Sequence, residues 1–60
     1  MTHGEQLRLI DELYQLRARI KRLYQQYYST DQIRRQYELE VQIRYLEGEE
    51  QYLRHLLINY

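Results

Sequence analysis

The sequence predicts an all-α fold in which two helices double back on one another as an antiparallel hairpin. Three observations predict it. Leu9, Leu13, Leu16, Ile20, Leu23 and Tyr27 recur at alternating steps of four and three, the spacing that lines one face of a helix. A second ladder, Leu39, Ile43, Leu46, Glu50, Leu53, Leu57 and Tyr60, keeps that period in a different phase. Continued forward, the first stripe lands on Thr30, Arg34, Tyr37, Arg44 and Gln51, which are mostly polar. One straight helix therefore cannot hold both ladders on one side. The slip falls between Tyr27 and Gln32, where the chain reads Ser29-Thr30-Asp31.

The elements follow in order. Met1 to Gly4 reads as a loose lead-in, with Thr2 as the N-cap and Glu5 three residues on. Helix one is expected over residues 4–28, rich in Leu, Arg, Gln and Glu, all good helix formers, and the chain contains no proline. The turn is expected over 28–31. Ser29 followed by Gln32 fits a capping box, with Thr30 and Asp31 as alternative caps. No glycine marks the break, so a single bent helix is the competing reading. The phase slip and the Ser-Thr-Asp run together favour the turn. Helix two is expected over 31–58. Gly48 costs it about 1 kcal/mol relative to alanine and marks a kink or a close backbone approach. It is in line with Val41, Tyr45, Tyr52 and Leu56, away from the Leu39–Leu57 stripe. Helix two thus carries a second, tyrosine-rich face.

Folding about Ser29 and Thr30 sets Ile20 opposite Leu39, Leu16 opposite Ile43, Leu13 opposite Leu46 and Leu9 opposite Glu50. The whole chain, residues 1–60, is one hairpin domain. A chain this short hides only about 60% of its unfolded surface. Helices about 40 Å long that touch along one seam bury little apolar area against the entropy of ordering them. Self-association is the expected remedy: a homo-oligomer, with a dimer forming a four-helix bundle favoured over a larger coiled-coil-like oligomer. The residues expected to form its interfaces are Leu9, Leu13, Leu16, Ile20, Leu23, Tyr27, Leu39, Val41, Ile43, Tyr45, Leu46, Tyr52, Leu53, Leu56 and Leu57.

Charge bears on partners. The formal net charge is zero, which argues against a generic polyanion binder. The charges are segregated, however. Arg17, Arg19, Lys21, Arg22, Arg34 and Arg35 gather toward the turn, and Glu5, Asp11, Glu12, Glu47, Glu49 and Glu50 toward the open end. Two copies with turns at opposite ends would set basic beside acidic. The chain has no cysteine to form a disulfide or supply a thiolate. It shows no apolar run long enough for a bilayer and no secretion signal, so for a natural chain the expected location is cytoplasmic.

Few residues suggest chemistry. The eight tyrosines include a line, Tyr37, Tyr45 and Tyr52, and a cluster, Tyr24, Tyr27 and Tyr28. They read as a binding surface or as half-buried bundle residues whose hydroxyls reach solvent. Glu50 stands where the seam expects leucine, so it must be paired or protonated. Arg54 or a tyrosine hydroxyl is its expected partner. Gln36, near the same stripe, reads as a polar register-setter or an interface edge. His3 and His55 lack the Glu-x-x-His spacing of bundle metal sites, and no nucleophile elbow or phosphate loop occurs. No catalysis, cofactor or metal is expected. The arginines near Tyr24, Tyr27 and Tyr28 interleave cations with stackable rings, which suits looped RNA. The same cations near the end of helix one also suit its dipole as a solvated face.

In length and layout the chain resembles the Rop-type plasmid copy-number regulators, antiparallel dimers of helical hairpins that bind paired RNA loops. That resemblance is architectural and carries no shared motif. It implies a small RNA-binding regulator using the basic turn end. Gln36-Tyr37-Glu38-Leu39-Glu40 is similar to the Ser-Gln-Glu-Leu-Asp signature of the small sporulation phosphatases, matching at Glu38 and Leu39, with Glu40 in place of the aspartate. The regular ladders, zero net charge and absence of Cys, Pro, Trp and Phe also resemble a de novo designed helical bundle. In such bundles buried polar positions set specificity.

Overall fold

Thr2 opens the first helix. Its Oγ1 accepts a hydrogen bond from the Glu5 backbone N–H at 3.2 Å, and Glu5 places an acid at the positive end of the helix dipole. From that cap a computed structural model, describing residues 2–59, builds two helices: α1 (His3–Ser29) and α2 (Ile33–Ile58). They pack on each other as an antiparallel hairpin 45 × 15 × 11 Å. The two-helix reading replaces the single bent rod. Met1 and Tyr60, the expected last rung of the second ladder, lie outside the described residues.

The turn differs from the expected capping box. Ser29 still belongs to α1, and its hydroxyl donates backward to the Gln25 carbonyl at 2.6 Å. Thr30 is extended (φ −95°, ψ 142°), and its N–H closes α1 on the Gln26 carbonyl at 3.1 Å. Gln32 precedes α2 without a side-chain cap. Instead the Thr30 Oγ1 accepts from the Gln32 N–H at 3.3 Å, and Gln36 Nε2 donates to the Thr30 carbonyl at 2.8 Å. Gln36 therefore ties the first turn of α2 to the connection. The connection spans residues 30–32, later than the expected 28–31. A serine hydroxyl can cap forward or bond backward; bonding backward carries α1 one residue further.

Both ladders face the seam. Leu13, Leu16 and Ile20 from α1 and Leu39, Ile43 and Leu46 from α2 are buried, and Leu39 is fully enclosed. Leu9, Leu23, Tyr27, Leu53, Leu56 and Leu57 are half-buried around them. The register differs from expectation. Leu16 and Ile20 cluster with Leu46 and Leu53, not with Ile43 and Leu39. The reason is the connection: with α1 running to Ser29 and three residues bridging to Ile33, partners on α2 lie further along the chain.

Gly48 is not the close-approach site its position suggested. α2 runs unbroken through it, its φ is not positive, and a Cβ there would meet nothing within 4 Å. Among the described residues, no helix is long and apolar enough to cross a membrane.

Three outcomes are expected in denaturation followed by circular dichroism. Leu39→Ala lowers stability by about 2–5 kcal/mol through lost burial and a cavity, and Leu16→Asp, which buries an unpaired charge at mid-seam, abolishes the cooperative transition. Gly48→Ala raises stability by about 0.5–1 kcal/mol through helix propensity, because nothing in the hairpin needs the missing Cβ.

Candidate interaction surface

The seam divides the hairpin into two broad faces of different character. On one, polar side chains latch α1 to α2. Arg17 Nε donates to Glu50 Oε1 at 3.1 Å, and the Tyr24 hydroxyl donates to Glu47 Oε2 at 2.9 Å. This resolves the carboxylate standing at a leucine position. Glu50 is at the seam's flank, and its partner is Arg17 across the hairpin, not Arg54 on its own helix. The Tyr24 phenol keeps its proton above the ordinary value of 10.0. Its hydrogen bond to Glu47 is the main cause, followed by partial burial and the charges of Glu47 and Tyr28. Tyr24 and Tyr28 stack with centroids 6.2 Å apart, and Tyr27 meets Tyr28 edge-on at 5.2 Å, so the expected cluster near the turn is assembled.

The opposite face is open. Glu12, Gln15, Arg19, Arg22 and Gln26 recur at steps of three and four along the other flank of α1, where Cβ vectors share one direction. Between that flank and α2 run two grooves. The larger, about 650 Å³, is lined by Arg19, Arg22, Leu23, Gln26, Val41, Gln42, Tyr45 and Leu46. The smaller, about 210 Å³ and nearer the open end, is lined by Glu12, Gln15, Leu16, Arg19, Glu49 and Leu53. Arg19 borders both. The cross-hairpin polar contact on this side is the long one from Arg35 to Gln26 beside the turn, at 3.4 Å.

The expected interface residues separate into two sets. Leu9, Leu13, Leu16, Ile20, Leu23, Tyr27, Leu39, Ile43, Leu46, Leu53 and Leu57 line the intramolecular seam. Val41, Tyr45 and Tyr52 do not; they are 51%, 69% and 63% exposed on α2 outside the seam, Val41 and Tyr45 along the larger groove, and Leu56 is half-buried. Ile33 and Tyr37 extend that exposed stripe toward the turn; Tyr37 belongs to the tyrosine line read from the sequence, and Ile33 does not. Apolar residues on both sides leave α2 much less amphipathic than α1.

Charges on the surface are partly answered. Glu38 pairs with Arg34 and Arg35 at 3.9 and 3.5 Å, Glu40 with Arg44 at 2.7 Å, and Arg8 with Glu12 at 4.0 Å. Exposed pairs of this kind contribute about 0–1 kcal/mol each. Arg19, Arg22 and Glu49 have no ion-pair partner among the described residues. The basic end expected at the turn is therefore reduced, since Arg17, Arg34 and Arg35 are neutralised locally. Glu38 and Glu40, which carry the phosphatase likeness, sit in these helical ion pairs with Leu39 turned into the seam between them. His55 contributes its carbonyl to Asn59 Nδ2 at 3.0 Å. Among the described residues, no group of three or more His, Cys, Asp or Glu side chains is placed to hold a metal. No family model matches the chain, and no curated protein or solved structure matches it.

The Tyr24 bond gives a signed pH dependence. A phenol that holds its proton more tightly folded than unfolded adds stability below pH 10.0, lost as pH rises through the raised folded value. Between pH 10 and 12 the wild type should lose more stability than Tyr24→Phe, which cannot titrate there. Equal losses in urea denaturation would dissociate the bond from stability.

Proposed function

We propose that the protein is a structural, self-associating helical hairpin that performs no catalysis and assembles as an antiparallel homodimer, closing a four-helix bundle. The observation that carries this is the apolar surface left outside the seam. The chain exposes 5049 Å², whereas a compact folded monomer of this size would expose about 4,300 Å². On α2, valine and tyrosines stand exposed at helical spacing outside the seam. A coherent exposed stripe of that kind is the ordinary signature of an interface. A two-helix hairpin also has a single thin core, and a second copy supplies the missing layer. Tyrosine suits the role: it gives large contact area while its hydroxyl stays hydrated until docking.

One observation favours a different partner. The Tyr24–Tyr28 stack shares its side of α1 with Lys21, a cation with rings of the kind that hold unpaired RNA bases. Local neutralisation of Arg17, Arg34 and Arg35 makes it the second reading.

Sedimentation equilibrium at micromolar concentration should return twice the chain mass. A folded, strictly monomeric chain would contradict self-association. A salt-dependent shift of structured RNA by that monomer would favour the second reading.

A further inference from the structure

Resting on the self-association reading, we infer that the second copy docks on the grooved face, antiparallel, with Arg19 and Arg22 of each copy set against Glu49 and Glu12 of the other. Several observations converge on this face. The opposite face is already cross-linked by Arg17–Glu50 and Tyr24–Glu47, so these four groups are paired within one chain. The grooved face carries no such latch along its middle, and its floor is apolar, with Leu23 and Leu46 beneath one groove and Leu16 and Leu53 beneath the other.

Charge then selects both the occupant and its direction. The turn-side groove is rimmed by Arg19 and Arg22, and the open-side groove by Glu12 and Glu49 with Arg19 at the border between the two. Three of these four lack an ion partner among the described residues, and the fourth, Glu12, pairs there only with exposed Arg8, at 4.0 Å. A hairpin therefore presents a cationic half and an anionic half on one face. A second copy rotated end over end places each half against its opposite, twice by symmetry. A parallel copy would place like against like, which opposes association. A two-fold arrangement uses the same patch on both copies, as a closed dimer requires.

The size of the face fits. Its 45 × 15 Å outline gives about 700 Å² per copy, near the roughly 800 Å² per partner of a standard stable interface. Val41 and Tyr45, exposed at the groove's α2 wall, become buried contacts between the copies. Opposite charges on that face set the direction of docking, and the apolar floor supplies the affinity.

Charge reversal tests this on the intact chain. R19E/R22E makes both grooves anionic, and E12R/E49R makes both cationic; all four sites are exposed and outside the seam, so each variant should keep wild-type helicity at concentrations high enough for it to associate. Each alone should self-associate roughly tenfold or more weakly than the wild type. An equimolar mixture should recover dimers, because each groove then meets its opposite, and native mass spectrometry should find one copy of each. If both variants dimerise like the wild type, a different face is used and the docking inference fails while self-association stands. A parallel dimer is indicated if R19E/R22E associates as strongly as the wild type while the mixture still favours heterodimers. A monomeric wild type overturns the underlying reading itself.

Discussion

Six aliphatic side chains, three from each helix, exclude water from the line where α1 and α2 meet, and every other feature of the molecule answers to that line. Leu13, Leu16 and Ile20 oppose Leu39, Ile43 and Leu46, and only Leu39 is completely enclosed. The ladders can share a side only because the backbone reverses between Ser29 and Ile33. The reversal is held by small polar means: the Thr30 hydroxyl on the Gln32 amide, and the Gln36 amide on the Thr30 carbonyl. These bonds fix direction, while burial supplies the driving force.

A seam this narrow leaves the two faces beside it to find their own solutions. One is closed by Arg17–Glu50 and Tyr24–Glu47, bonds that bridge α1 and α2 and hold their relative rotation. The other keeps Arg19, Arg22 and Glu49 without ion partners among the described residues and leaves grooves between the helices. Such asymmetry is hard to explain for a hairpin meant to stand alone. It follows directly if the grooved face receives a second layer. α2 fits the same picture: one apolar side packs on α1, and the proposed second copy would answer the other.

Much of the fold was legible in the residue pattern because it depends on local periodicity. The two ladders located the seam, and Thr2 with Glu5 located the start of α1. What escaped depends on non-local or competing local choices. Ser29 reads equally well as a cap or as a helical residue, and its backward bond to Gln25 decided the matter. The register of Ile20 against Leu46 followed from the length of the connection, which composition does not fix. Arg17 as the partner of Glu50 required knowing that register. Arg19 and Arg22 read as part of a basic turn end, but they line a mid-hairpin groove. Their heptad spacing with Glu12 and Gln15 was the available signal, masked because solvated helix flanks show the same pattern.

The central physical claim is that the seam alone does not complete this molecule. Its most direct test is the melting temperature measured by circular dichroism across a roughly hundredfold dilution. Association that buries apolar surface couples stability to concentration, so the transition should move to lower temperature on dilution. A transition of unchanged midpoint and sharpness at every concentration would contradict the claim, because the single hairpin would then be stable by itself.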